Sequence, residues 1–329
     1  MKICITGGAG MIGSNLALDL VQNNYEVTII DNLWRGNLAN LKFNGDYIVD
    51  IDSDFFQIDL SDTQNIEQIC SILSNADIVV HLADVVAGIG YVFNKQYEIF
   101  TQNILINNNL FKAAAQTKIS KLIYVGTACS FPLELQSGLH SELVESALFP
   151  AHPESAYGWS KLVGQLELQY LSEVVDFEIC TLMLHNVYGP NCEFEGERTQ
   201  VIPSLISNIV RANEGDTITV WGSGSQGRAF IHVNDVISAL KKTFVISDLP
   251  PYMQIGPSYC TSIKELAEML IRISEKNLHI YFDKSKPEGD RGRFANFSLA
   301  QKYLEWTPTV DLCMGLQQTY KWIYDRSTR

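Results

Sequence analysis

Residues 2–20 read KICITGGAGMIGSNLALDL: a short β-branched run, glycines at Gly7, Gly10 and Gly13, then a helical pattern. Glycines between a strand and a helix let the backbone approach a pyrophosphate, whose charge the helix N-terminus favours. The glycine spacing alone is common. Its context carries the reading: ICIT ends directly on the glycines, and the helix opens directly after them with Met11 and Ile12. The next strand, EVTIID, closes on Asp31, 18 residues beyond Gly13. A carboxylate there accepts hydrogen bonds from both adenosine ribose hydroxyls and repels a 2′-phosphate, which predicts NAD rather than NADP. Asn32 follows in the same loop. Arg35, just past it, pulls the other way, because a guanidinium there can pair with a 2′-phosphate. Asp59 and Leu60, ending a third strand, either flank the adenine or simply close the strand. Leu82 and Ala83, in DIVVHLA, complete the expected cofactor contacts.

Working outward, DFFQID, DIVVHLA, KLIYVGT and FEICTLML read as further buried strands. SNLALDLVQ, TQNIEQICSIL, NILINNNLFKAAAQ and SKLVGQLELQYLSEV read as helices between them. Strand–helix alternation of this kind predicts an α/β protein with a doubly wound parallel sheet of Rossmann type. The asparagine run around Asn107 reads as compositional. After Pro190 the alternation weakens: a helix over 202–213, a strand TITVW, a turn-rich GSGSQGR, then HVNDVISALKKTF and SIKELAEMLIRIS, the last capped by Thr261 or Ser262. The expected division is a cofactor domain over 1–186, with a return segment near 230–256, and a smaller, discontinuous substrate domain over 187–329. The cleft between them is the expected substrate site.

The 329 residues suit about two domains, and 46% apolar with 19% charged suits a folded core. A net charge of −13 offers no general attraction to a phosphate backbone, which argues against nucleic acid as a partner. Seven cysteines without a CxxC pair, and six scattered histidines, argue for a reduced cytoplasmic chain without a metal site. No run approaches the roughly 18 apolar residues of a spanning helix, and no small-residue cleavage site follows the glycine-broken N-terminal run, so neither membrane nor export is expected.

The catalytic expectation rests on Thr127, Tyr157 and Lys161. In YGWSK, Tyr157 and Lys161 are four apart in a helical pattern and so share a face. An ammonium beside a phenol favours phenolate, which would make Tyr157 a usable base. Thr127, just past a strand that points at the cofactor, could hold the hydroxyl that Tyr157 deprotonates.

TGGAGMIG, VVHLAD, VGTACS, YGWSK, HNVYGP and GSGSQGRAFIHVND, in this order and across nearly the whole chain, resemble the extended short-chain dehydrogenase/reductases that act as nucleotide-sugar epimerases and dehydratases. The resemblance implies that Thr127, Tyr157 and Lys161 form the hydride-transfer triad, with Tyr157 taking a proton from a sugar hydroxyl, usually at carbon 4. It implies that Asn186 and Arg228 hold the substrate diphosphate, which suits an amide donor and a guanidinium; a turn asparagine and a solvated charge are the plainer readings. It also implies a homodimer through the helices NILINNNLFKAAA and SKLVGQLELQYL, whose apolar faces equally suit packing on the sheet.

Within the family, VVAGIGYVFN, ACSFP and KPEGDRGRF are similar to the GDP-mannose 3,5-epimerase branch. That likeness implies a sugar-side glycine loop at Gly88, a proton-moving Cys129 and a diphosphate-binding Arg293. A small buried hydrophobe is the other reading of Cys129. Gln200 stands where that branch has its second proton-moving residue, a lysine, and glutamine moves no proton at ordinary pH. Three readings follow. The first is NAD-dependent oxidation at carbon 4 of a nucleotide sugar, with a GDP-linked manno-hexose or manno-heptose favoured, ending as dehydrogenase or 4-epimerase. The second is a 3,5-epimerase in which Lys95, Glu193 or a water replaces the lysine. The third is a non-catalytic sensor of NAD or nucleotide sugar, against which the complete triad speaks.

Overall fold

The computed structural model describes residues 1–136, 138, 141–286 and 291–328. Seven strands form one sheet: β1 (Lys2–Thr6), β2 (Glu26–Asp31), β3 (Phe55–Gln57), β4 (Ile78–His81), β5 (Lys121–Thr127), β6 (Glu178–Leu184) and β7 (Tyr252–Ile255). The spatial order is β7–β6–β5–β4–β1–β2–β3, and every pairing is parallel. β4 and β5 are buried along their whole length, as an apolar run covered on both faces must be. Because the strands are parallel, the carboxyl ends of β1, β2, β4 and β5, at Thr6, Asp31, His81 and Thr127, open along one edge of the sheet. A Rossmann-type α/β fold binds its ligands outside that edge.

The main helices are α1 (Met11–Gln22), α2 (Ile66–Leu73), α3 (Gln96–Ala114), α4 (Ala156–Leu171), α5 (Val201–Arg211), α6 (Val233–Val245), α7 (Ile263–Ser274) and α8 (Leu312–Ser327). α1 buries Leu16, Ala17 and Leu20 in one core with Val236, Ile237 and Leu240 of α6 and the β1 side chains Ile3 and Ile5. A second core packs Ile69 and Leu73 of α2 and Ile106 and Leu110 of α3 against Val79 and Leu122. α5, α7 and α8 gather around Ile206, Leu266 and Leu316 beside a parallel strand pair, Thr217–Trp221 with His279–Asp283. Ser262 rather than Thr261 caps α7, in a reciprocal capping box with Glu265.

The asparagine run is not compositional. α3 starts at Gln96, ahead of the expected helix, and its buried asparagines each hold a neighbour. Asn103 accepts from the Val85 amide at 2.7 Å and donates to the Val85 carbonyl at 3.2 Å. Asn107 meets His81 Nε2 at 3.0 Å and donates to Tyr124 Oη at 3.2 Å; Asn109 donates to the Leu60 carbonyl at 2.8 Å. The helix presents amides because the loops that follow β3 and β4 expose backbone groups that need partners.

Candidate active site

One cleft of about 960 Å³ runs along the carboxyl edge of the sheet. At one end the β1–α1 turn forms a cradle. Gly7 sits at φ +69°, and a Cβ there would lie 2.8 Å from the Ala83 amide nitrogen, so only glycine fits. Gly13 packs on the Gly7 carbonyl with no room for a side chain. Gly10 caps α1 without any side-chain hydrogen bond, which leaves the first helical amides for a ligand. Met11, Ile12, Leu82 and Ala83 line the same space.

Asp31, buried at the end of β2, accepts from the Ala9 amide at 2.9 Å and the Leu33 amide at 2.7 Å. Burial pushes its pKa up, and the two amides oppose that shift. Asn32 lines the cleft and accepts from the Trp34 amide at 2.9 Å. β3 stops at Gln57, so Asp59 and Leu60 lie in the loop beyond it, still on the cleft wall. Arg35 donates to Glu193 Oε2 at 3.1 Å and to the Val86 carbonyl at 2.9 Å, so its guanidinium clasps the opposite wall. A glycine cradle, uncapped helix amides and a carboxylate on the cleft wall together fit a dinucleotide.

At the reacting end, Thr127 closes β5 and its Oγ1 accepts from the Cys129 amide at 3.2 Å. Ser155 caps α4, which sets Tyr157 and Lys161 on consecutive turns. Their polar partners differ from the expectation. Lys161 Nζ donates to the Val125 carbonyl at 2.8 Å, pairs with Asp84 Oδ2 at 3.0 Å and lies 4.8 Å from the centre of the Tyr124 ring. Tyr157 Oη donates to the same Asp84 oxygen at 3.3 Å. The Tyr157 phenol is therefore held well above its ordinary pKa, by burial first and by the Asp84 carboxylate next, instead of being lowered by the lysine. For Lys161, burial works against the charge, but Asp84 and Tyr124 more than offset it and hold the ammonium above its usual range.

Asp84 was visible only as the last letter of VVHLAD. Its signal was an acid directly after two cofactor-lining residues.

The substrate side completes the wall. Arg293 is 3% exposed and its Nη2 donates to Cys129 Sγ at 3.1 Å, which places it at the reacting end rather than apart from it. Pro287–Asp290 of KPEGDRGRF lie outside the described residues. Asn186, Gln200 and Arg228 line the cleft. Gly88 donates its amide to the Arg198 carbonyl at 3.0 Å, and a Cβ there would lie 2.5 Å from the Thr199 carbonyl oxygen. Lys95 is not among the lining residues and pairs at 3.0 Å with Glu98, which is, and both Glu193 oxygens accept from Arg35 and Arg198. Trp221, unremarked in the sequence, stands half-exposed on the rim beside Gly90. Among the described residues no cluster of three or more His, Cys, Asp or Glu could hold a metal, and no helix is long and apolar enough to cross a membrane.

Residues 3–245 match the model of the NAD-dependent epimerase/dehydratase family. GDP-mannose 3,5-epimerase of Arabidopsis thaliana is 29% identical over 99% of this chain and 83% of its own length. GDP-L-fucose synthase of Escherichia coli is 27% identical over 100% and 98%. Among solved structures, UDP-glucuronic acid 4-epimerase from Bacillus cereus, in complex with UDP-glucuronic acid and NAD, superposes with a TM-score of 0.82 at 27% identity, covering 99% of this chain and 100% of that one. With its glycine cradle, Asp31 and Tyr157 in one cleft and Lys161 buried one turn behind Tyr157, the chain is an NAD-dependent enzyme and belongs to the NAD-dependent epimerase/dehydratase family.

Proposed function

We propose that the enzyme oxidises carbon 4 of a nucleotide sugar, with a GDP-linked manno-hexose or manno-heptose as the favoured substrate. The carrying observation is that one cleft holds the cofactor cradle, Thr127, Tyr157 and the polar residues Asn186 and Arg228. NAD, when bound, supplies the hydride acceptor. Thr127 holds the 4-hydroxyl and Tyr157 takes its proton, while Asn186 and Arg228 hold the diphosphate. Asp31 and the clasped Arg35 favour NAD over NADP. The guanosine preference rests on two GDP-sugar relatives that match along 99% or more of this chain.

A second reading, 3,5-epimerisation, is favoured by the Arg293–Cys129 contact, which sets the sulfur in the cleft against a cation rather than among apolar filler. Gln200 weighs against it, as do the occupied Lys95 and Glu193. The two readings separate on incubating GDP-mannose and GDP-manno-heptose with the enzyme in deuterated water. Oxidation at carbon 4 yields a product lighter by two hydrogens, a keto hydrate or a 4-epimer, without deuterium on carbon, and Cys129→Ser changes the rate by less than roughly threefold. Carbon-bound deuterium that disappears in Cys129→Ser would replace this reading with the second.

We further propose a homodimer through α3 and α4. Their outer face carries a groove lined by Phe100, Trp159 and Val163, with Tyr170 exposed beyond it, which offers apolar side chains to a second copy. Sedimentation is expected to give the mass of two chains for the parent and of one for Phe100→Glu; a monomeric parent would end the proposal. The seven free cysteines suit a reducing cytoplasm.

A further inference from the structure

A single carboxylate oxygen joins the two catalytic side chains of α4. Asp84 Oδ2 lies 3.0 Å from Lys161 Nζ and 3.3 Å from Tyr157 Oη, and its side chain is 12% exposed. A carboxylate only accepts, so Tyr157 must be the donor in this arrangement. A phenolate would set two negative charges against each other at hydrogen-bond distance. Lys161, meanwhile, spends its charge on Asp84 and a second donor on the Val125 carbonyl.

The surrounding groups do not reverse this balance. From β4, His81 is bonded to Thr6 and Asn107, and burial, then Lys161, drive its pKa down to about 3, so it stays neutral. From β5, the Tyr124 phenol is pushed up by burial. From the loop after β5, Cys129 faces Tyr157 with Arg293 against its sulfur. Lys161 is the cation on the tyrosine's own helix, and Asp84 holds it.

We propose that Asp84 is a positioning residue of the Tyr157–Lys161 pair: it gathers both on one oxygen and so keeps the resting tyrosine a proton donor. The inference rests on the carbon 4 reading for its catalytic meaning, because the Tyr157 proton must leave before Tyr157 can take one from a sugar hydroxyl. It predicts an enzyme whose oxidative step is held back at neutral pH by one carboxylate.

The test has a readout that needs no substrate. Phenolate absorbance is titrated for the parent and for Asp84→Asn, each against its own Tyr157→Phe counterpart, so that the difference reports Tyr157 alone. The parent is expected to show its Tyr157 transition well above the ordinary tyrosine range, and Asp84→Asn to show it at least about one unit lower than the parent. Asp84→Glu restores the parent behaviour, and Asp84→Ala repeats the result should the asparagine variant fold poorly by circular dichroism.

Single-turnover reduction of bound NAD by a sugar nucleotide follows the same change. The alkaline limb of the rate moves down in Asp84→Asn, and the neutral-pH rate rises about tenfold per unit moved. An unmoved Tyr157 transition overturns the proposal whether or not any sugar reacts. A rate lowered equally at every pH overturns it too, since that is what a merely structural role would do. A lowered transition in an enzyme that oxidises no sugar nucleotide supports the role of Asp84 and defeats the carbon 4 reading.

Discussion

Tyr157→Phe is expected to lower turnover by roughly 10³-fold while NAD still binds, because the substitution removes one oxygen and nothing else the cradle needs. The phenol oxygen has a single partner described here, Asp84 Oδ2 at 3.3 Å, and that oxygen keeps its ion pair with Lys161 at 3.0 Å after the change. Lys161 also keeps its bond to the Val125 carbonyl, so α4 stays in register with β5. The glycine turn and Asp31 lie on other elements and are untouched. What is lost is the hydroxyl that, on the carbon 4 reading, accepts the sugar proton. The measurement is paired: single-turnover absorbance for reduction of bound NAD, and calorimetric NAD binding on the same preparation. A binding constant within about twofold, with turnover cut as stated, assigns the oxygen to the chemical step. Turnover within about tenfold of the parent would remove Tyr157 from the proton path.

The same residues show what a sequence can and cannot disclose. The strand–helix alternation and the Gly7–Gly13 turn are local patterns, and the parallel sheet and its cofactor edge follow from them directly. Tyr157 and Lys161 share a helix face because four residues is about one turn, so that pairing was legible as well. The sign of its effect was not. The group that sets the Tyr157 proton arrives from the loop after β4, 73 residues earlier in the chain, and no spacing rule reaches across that gap. Arg293 meets Cys129 across 164 residues, and Arg35 meets Glu193 across 158. Each pairing turns a residue toward a partner that only the tertiary fold supplies: Arg293 onto a sulfur, Arg35 onto a carboxylate instead of a phosphate. Polar contacts of this range depend on which loops the sheet order brings together.

Asn107→Leu is expected to cost about 2–5 kcal/mol of stability, although the run INNN carries no signal of importance in the sequence. The side chain is 1% exposed, and it serves two buried groups on different strands: His81 Nε2 on β4 at 3.0 Å and Tyr124 Oη on β5 at 3.2 Å. Leucine fills a similar volume, so packing changes little and the loss is electrostatic. It leaves a buried imidazole nitrogen and a buried phenol each short of a partner, and each such group costs about 1–3 kcal/mol. For a chain of this length that is a fall in Tm of roughly 3–8 °C, read by calorimetry. The neighbouring Asn108→Leu provides the internal control. Asn108 donates to Glu167 at 2.8 Å, a carboxylate that water can reach, and its loss is expected to cost less than about 1 kcal/mol. Equal losses at the two positions would mean that the asparagines serve α3 itself. Unequal losses, with Asn107 the larger, tie the helix to the strands whose ends line the cleft, because His81 and Tyr124 lie at Cα-paired positions of β4 and β5 immediately before Leu82 and Val125.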